Sequence, residues 1–182
     1  GQATVRSMFD FGTNDSAFMV LAGDGLVFYK HLDHSGDALI AAISKHTGVT
    51  QEQAIGMLAG SKNCDEKSSI TRAVRDATRS THESIATDAM KCLRHYGVTN
   101  RGPLSSQTII TGSAGWNQHL GSVFSSTCNQ DVSPDFDVQH IKGLSKQIIE
   151  TNGWQIALGA SLAKINLNKQ RRVSDFFGRE AA

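Results

Sequence analysis

Two short turns of small and polar residues are the features of this chain that could carry chemistry. The first, Phe9–Ser16, reads FDFGTNDS and ends an apolar segment. The second, Ile109–Gly115, reads IITGSAG, also follows apolar residues and leads into a helical pattern. Strands that run into such turns place backbone N–H groups where they can contact an anion. Two of them at the ends of neighbouring strands could hold a phosphate chain and a nucleoside.

The first turn offers a carboxylate and backbone donors. Asp10 could orient Mg²⁺ through water beside the phosphates, because hard cations prefer carboxylate oxygens. Gly12, Thr13 and Asn14 could present backbone N–H groups to phosphate as an anion nest. The alternative is a plain turn, in which Asp10 caps the N–H groups that follow it.

The second turn offers close backbone approach to a ligand. Gly112, Ser113, Ala114 and Gly115 could contact the nucleoside and open the next helix, whose N-terminus favours negative charge. The alternative is a strand-to-helix connection that needs small residues for steric reasons alone.

Composition indicates a folded globular protein. The 182 residues include 39% hydrophobic and 19% charged residues, and the net charge is +1. That charge gives no basic footprint for nucleic acid. No apolar run is long enough to span a membrane, and no signal peptide is evident. The three cysteines form no CxxC pair, which favours free thiols in a reducing cytoplasm over a zinc site.

The elements that must position the turns begin with a three-stranded meander. Strands are predicted at Thr4–Phe11, Ala17–Ala22 and Leu26–Leu32, with a hairpin turn at Gly23–Gly25. The second strand is nearly all apolar, so it is expected to be buried on both faces.

A helical block follows the meander. Ser35 or Asp37 can cap a helix that ends at Gly48, and Thr50–Gln53 reads as a capping box for a second helix. Apolar spacing predicts a long helix over Asp65–Tyr96, either continuous or broken near Ser80–Thr81. Its expected inner face comprises Ile70, Val74, Ala77, Thr81, Ile85, Ala89, Leu93 and Tyr96.

The last third is predicted as a mixture of short elements. In order these are a loop, a buried strand, a helix, a loop with a short strand, a partly helical stretch and a closing helix: Gly97–Ser106, Gln107–Thr111, Trp116–Ser125, Asn129–Asp137, Val138–Glu150 and Trp154–Lys164. The seven histidines show no ligand spacing, so surface or hydrogen-bonded roles are favoured over a metal site. A serine hydrolase is disfavoured because no G-x-S-x-G elbow occurs.

This order of elements, with those two turns, resembles the actin-like ATPase fold. It looks most like the type IV pilus assembly protein PilM family, relatives of the cell-division protein FtsA. The likeness extends over Val5–Leu167 and concerns the second half of that fold. It rests on an Asp-x-Gly turn, a hairpin, a glycine before a helix, a short helix, a small-residue turn and a closing helix: Asp10–Gly12, Gly23–Gly25, Gly36–Leu39, Thr50–Ala54, Ile109–Gly115 and Trp154–Leu162.

Two positions depart from the family pattern. Ser113 replaces the second glycine of the nucleoside turn, and Ala17 stands where a further Asp is usual. The half of the fold that supplies the other phosphate loop is not matched, and the sequence holds no second Asp-x-Gly turn. The chain is then either an isolated half or a protein whose nucleotide site has decayed.

The resemblance implies an α/β fold class: the second half of an actin-like ATPase (ribonuclease H-like) fold with an inserted helical subdomain. The expected division is a sheet lobe in 1–35 and 106–168, the helical subdomain in 36–105, and a tail in 169–182.

The resemblance also implies a function. The family suggests a bacterial, cytoplasmic scaffold, peripheral to the inner membrane, in a type IV pilus or type II secretion platform. It would bind ATP and Mg²⁺ and contact membrane-anchored platform proteins, without spanning the membrane or binding nucleic acid. Self-association is left open, and hydrolysis by this chain alone is not expected. The alternatives are a nucleotide-free interaction module of the same fold and a filament-forming actin relative.

Overall fold

A computed structural model describes residues 4–23, 25–61, 68–100, 105, 107–112 and 118–133 of the chain. All of them lie in one compact unit, Gly1–His140. The predicted elements within 138–150 and 154–164 and the tail at 169–182 lie outside the described residues, so they remain predictions.

The described residues form a five-stranded mixed sheet. Its strands are β1 (Val5–Phe11), β2 (Ser16–Ala22), β3 (Gly25–Leu32), β4 (Gln107–Thr111) and β5 (Asp131–Ser133). Their order across the sheet is β3-β2-β1-β4-β5. The first three pair antiparallel as a meander, whereas β4 runs parallel to β1, and β5 runs parallel to β4. The strands predicted from the sequence are therefore confirmed.

The hairpin between β2 and β3 turns at Gly23, whose φ of 59° is the left-handed conformation that glycine adopts easily. The expectation that β2 is buried on both faces is wrong. Ser16, Phe18 and Val20 are buried, but the alternate residues are partly exposed. Burial on one face is the ordinary state of a strand in an antiparallel meander.

The first two helices start at their predicted capping residues, and α1 also ends at the predicted glycine. In α1 (Gly36–Thr47), Ser35 is the N-cap, and the Ala38 N–H donates to its hydroxyl at 3.2 Å. Gly48 ends that helix with a φ of 73°. In α2 (Gln51–Ser61), the Thr50 N–H donates to the Gln53 side chain at 3.0 Å, and the Gln53 N–H donates to the Thr50 hydroxyl at 3.3 Å. This reciprocal pair is the predicted capping box.

The long helix α3 (Ser69–Asn100) is continuous, so the alternative with a break near Ser80–Thr81 is wrong. It also extends through the predicted loop residues from Gly97 to Asn100. The Asn100 side-chain amide donates to the Tyr96 carbonyl at 3.2 Å and satisfies one of the last acceptors. A glycine near a helix end is thus tolerated, because it costs only about 1 kcal/mol relative to alanine.

The inner face of α3 differs from the predicted stripe in its first half. Thr78 and His82 are fully buried, whereas Ile70 is exposed and Thr81 is only half-buried. From Ile85 to Tyr96 the predicted stripe is correct. At His82 the cause is α4 (Gln118–Cys128), which contacts the middle of α3: His119 packs on His82, and the Cys128 thiol donates to the Ala86 carbonyl at 3.5 Å.

One hydrophobic core joins one face of the sheet to α3 and α4. The rings of Phe9 and Phe11 lie 5.5 Å apart on β1, and Phe124 of α4 lies 5.9 Å from Phe9. Further members are Phe18, Val20, Leu39, Ile85, Ala89, Leu93, Ile110 and Leu120. A smaller cluster around Ile43, Ala54 and Val74 joins the first three helices. This packing fixes the strand ends that carry the two predicted turns.

Candidate functional site

The two predicted turns meet at one edge of the sheet. Because β1 and β4 are parallel neighbours, they end on the same side, and Asp10 lies beside Thr111 in the register. Gly12 and Gly112 follow directly. Carboxyl ends of adjacent parallel strands are where open α/β sheets place their ligands.

The Gly12 turn is closed by its own backbone and anchored on α1. The Gly12 N–H donates to the Asp15 carbonyl at 2.9 Å, and a Cβ on Gly12 would come within 2.7 Å of that oxygen. The Gly36 N–H donates to the Gly12 carbonyl at 2.9 Å, and the Asp37 N–H donates to the Thr13 carbonyl at 3.0 Å. The Gly12 N–H is therefore engaged inside the turn, so this residue acts through its missing side chain.

Gly112 is held against the backbone of β1. Its φ is 107°, a conformation that favours glycine, and an added Cβ would lie 2.3 Å from the Phe11 carbonyl oxygen. This contact brings the second turn next to the first. Ser113, Ala114 and Gly115, the other predicted residues of this turn, lie outside the described residues.

Asp10 has the electrostatics of a cation-binding carboxylate. Among the described residues its Oδ1 atom is buried without a hydrogen-bond partner. Burial, and to a smaller degree the nearby Asp15 carboxylate, raises the pKa of the Asp10 carboxyl above its ordinary value. A positive charge at this place would relieve both effects. The oxygen ligand fits a hard divalent cation such as Mg²⁺.

No protein-family profile matches the sequence, and no curated protein is similar to it at a significant level. Solved structures do match its fold. One described as the PilM–PilN type IV pilus biogenesis complex has a TM-score of 0.71 and 18% identity, covering 89% of this chain and 46% of that chain. The archaeal actin homologue Ta0583 has a TM-score of 0.54 and 14% identity, covering 76% and 44%. The fold is that of the actin-like ATPases.

The actin-like fold expected from the sequence is thereby confirmed. A third structure, the ethanolamine utilization protein EutJ from Carboxydothermus hydrogenoformans, has a TM-score of 0.53 and 14% identity, covering 72% of this chain and 44% of that one. This chain spans less than half the length of each of the three structures. At these identities the likeness concerns the fold alone.

Two histidines near the end of β3 lie beside carboxylates. His31 Nε2 lies 3.7 Å from Asp15 Oδ2, and His31 Nδ1 lies 3.8 Å from Asp33 Oδ1. His34 Nε2 lies 3.0 Å from Asp88 Oδ2 on α3. Within the part of the chain that is described, no three or more His, Cys, Asp or Glu side chains are grouped to hold a metal ion. Among the described residues Asp10 is thus a lone candidate ligand, and a cation bound there would also need oxygen ligands from phosphate or water.

A buried polar network behind the site was not predicted from the sequence. Near the start of β1, the hydroxyl groups of Ser7 and Thr108 lie 2.7 Å apart, and the Thr108 hydroxyl donates to the Gln130 side chain. The Gln130 side-chain amide donates to the Ser105 carbonyl, and the Ser7 N–H donates to the Ser105 hydroxyl at 3.0 Å. The only signal was the presence of hydroxyl residues in otherwise apolar strands. The network ties β1, β4 and the start of β5 in the actin-like sheet.

None of the described helices could cross a membrane. The longest, α3, has 32 residues but is too polar for a bilayer.

Proposed function

We propose that this protein is a cytoplasmic, ATP-binding scaffold of a type IV pilus or type II secretion inner-membrane platform. The observation that carries the nucleotide part is the meeting of the Asp10–Gly12 turn with Gly112 at adjacent parallel strand ends. The platform part is supported by the fold likeness to the structure described as a PilM–PilN type IV pilus biogenesis complex.

In the proposed site, the first turn contacts Mg²⁺ and the phosphates, and the second turn contacts the nucleoside. Asp10 holds Mg²⁺ through water, and backbone N–H groups of Thr13 and Asn14 face the phosphates. Gly12 closes the turn behind them, through its bond to Asp15. Gly112, Ser113, Ala114 and Gly115 contact the nucleoside. Bound Mg²⁺ supplies charge neutralisation for the phosphate chain, and the residues of this chain bind and orient it.

Nucleotide binding without hydrolysis fits this chain best. Phosphoryl transfer needs in-line placement of water and charge stabilisation from groups around the γ-phosphate. In this proposal the chain provides one wall of such a site, because it spans less than half the length of the actin-like structures. ATP then organises contacts, and separate motor proteins supply the energy of assembly.

The partners in this proposal are membrane-anchored pilus or secretion platform proteins, with the scaffold peripheral to the inner membrane. A sheet lobe in 1–35 and 106–168, the helical subdomain in 36–105 and the tail in 169–182 are the units that would divide these contacts. In the tail, Phe176–Phe177 beside Arg171–Arg172 is a candidate docking segment by composition.

A calorimetric titration of Mg·ATP into the purified chain tests the site. We expect saturable binding that weakens at least tenfold in Asp10→Asn, because the variant keeps the shape of the side chain and removes its charge. Asp33→Asn is the matched control, since Asp33 is a fully exposed carboxylate in the connection between β3 and α1. Binding that is equal in all three proteins would contradict the role of Asp10.

A specific observation favours a second candidate, the nucleotide-free interaction module. Ala17 lies directly opposite Asp10 in the β1–β2 register, at the position where the resembling family has a second carboxylate. The site therefore has one anionic ligand fewer, and Ser113 adds a side chain in the nucleoside turn. Absence of Mg·ATP binding to the wild-type chain, even with the remaining part of an actin-like fold added, would favour this module. Sedimentation of the chain with Mg·ATP separates both from a filament-forming protein.

A further inference from the structure

Two histidines meet inside the interface between α3 and α4. The ring of His82 on α3 lies 5.3 Å from the ring of His119 on α4, centroid to centroid, and the rings are tilted by 59°. His82 has no solvent exposure, whereas His119 is half-buried. His119 is the second residue of α4, so the contact fixes the beginning of that helix.

The buried His82 ring is held without hydrogen bonds among the described residues. Both of its nitrogens are inaccessible and lack a partner. The Thr78 hydroxyl, one helical turn before His82, donates to the Val74 carbonyl at 2.8 Å. A buried donor and acceptor without partners oppose folding, so this contact is stable only while the ring carries no charge.

The charges around the pair also oppose protonation. Burial first, and then Arg75 and Arg79 on α3, lower the pKa of His119; Glu83 and Asp76 act in the opposite sense but do not cancel these effects. Burial, with the neighbouring His119, lowers the pKa of His82 to about 3. Among the described residues, His119 is the charged neighbour that acts on His82. Among the described residues, a proton on the His82 ring therefore finds no compensating partner in the closed interface.

We propose that the His82–His119 contact is an acid-sensitive latch, which holds the start of α4 against α3 at neutral pH and releases it in mild acid.

The direction follows from proton linkage. When α4 moves away from α3, a histidine that gains water returns to its ordinary pKa of about 6.5. The open form therefore binds more protons than the closed form between that value and the lowered pKa of about 3 for His82. The latch is at full strength above about pH 6.5 and weakens about tenfold per pH unit below it for each histidine released.

The latch follows the candidate site closely in the sequence, because His119 is seven residues after Gly112. Leu120 and Phe124 anchor the rest of α4 in the core. Acid would then weaken nucleotide binding, a consequence that rests on the proposed function. The latch itself can be tested without any nucleotide.

Hydrogen exchange read by mass spectrometry tests the latch on the full chain. Exchange rates at pH 7.5 and 5.5 are corrected for the intrinsic rate at each pH. We expect the protection of the α4 peptide to fall about tenfold between these values, because the lower one lies about one unit below the ordinary histidine pKa. Peptides from β1 and β2 should keep their protection and serve as the internal reference.

Three variants decide whether the effect belongs to this pair. His82→Phe keeps an aromatic ring of similar size and should reduce the pH response of α4 protection, because it removes the more deeply buried of the two titrating rings. His95→Phe is the matched control, an exposed histidine on the same helix, and should keep the wild-type response. His82→Leu, which also cannot take up a proton, gives a second test should His82→Phe not fold. The proposal is overturned by a wild-type α4 that is insensitive to pH, by a loss shared with β1 and β2, or by an undiminished response in a folded His82 variant.

Discussion

Single residues at the strand ends combine absent side chains with one buried carboxylate. Gly12 and Gly112 let two stretches of backbone approach more closely than any Cβ would allow. Asp10 places an oxygen without a hydrogen-bond partner among the described residues next to them, which opposes folding. Residues that lower stability and gather at one place support the proposed binding site.

Gly112 gives the sharpest stability prediction at this scale. We expect Gly112→Ala to lower the free energy of unfolding by about 3 kcal/mol, because the strained backbone and the displaced neighbour each cost about 1–3 kcal/mol. The neighbour is the Phe11 carbonyl, 2.3 Å from the added Cβ. Urea denaturation followed by circular dichroism measures the loss.

Gly48→Ala separates the two contributions to that loss. Gly48 also has a positive φ, 73°, but an added Cβ there would meet nothing within 4 Å. It should cost about 1–2 kcal/mol, from the left-handed backbone alone. Equal losses in the two variants would mean that the approach of Gly112 to β1 contributes nothing.

Some residue-scale features could be predicted from the sequence and others could not. Asp10 and Gly112 were predicted as site residues because each belongs to a turn of small and polar residues at the end of an apolar strand. The bond from the Gly12 N–H to Asp15 was not predicted, since it depends on how the turn closes. His82 was missed because a spacing of three or four residues also fits Thr81, and only the position of α4 decides between them.

At the scale of elements, capping residues predicted helix ends better than glycine did. Ser35 and the Thr50–Gln53 pair mark the starts of α1 and α2 because they satisfy donors of the first turn. Gly48 ends α1, whereas Gly97 lies within α3. A glycine therefore ends a helix only where the residues after it stop making helical hydrogen bonds. The pairing of β4 beside β1 came from resemblance, because no local pattern specifies a contact across about a hundred residues.

At the same scale, we expect the polar network between β1, β4 and β5 to stabilise the pairing of β4 with β1. We expect Thr108→Val to lower the free energy of unfolding by about 1–3 kcal/mol, since it removes a hydroxyl that is hydrogen-bonded to Ser7 and Gln130 inside the buried network. Valine conserves the branched shape, so the change isolates the hydroxyl. Thr87→Val on α3 is the control, because that exposed hydroxyl donates only to the Glu83 carbonyl of its own helix. Its effect should stay within about 0.5 kcal/mol.

At the scale of the whole molecule, the described sheet ends in β3, a strand of eight residues that pairs only with β2 among the described residues. Leu26 and Tyr29 on this strand are 56% and 58% exposed. Long apolar edges pair with other chains unless something prevents it. Two features of β3 oppose such pairing: the charge of Lys30, and an irregular register with β2 at Val20/Leu21.

Removal of the Lys30 charge tests whether that charge prevents association of the protein through β3. We expect Lys30→Val to give concentration-dependent association in sedimentation velocity, because a β-branched apolar residue at an open edge favours strand addition. Lys45→Val on α1 changes the net charge equally at an exposed helical position and should not associate. Association through β3 requires no nucleotide, so it should be the same with and without Mg·ATP. Association that appears only with Mg·ATP, and equally in both variants, would instead indicate the filament-forming alternative.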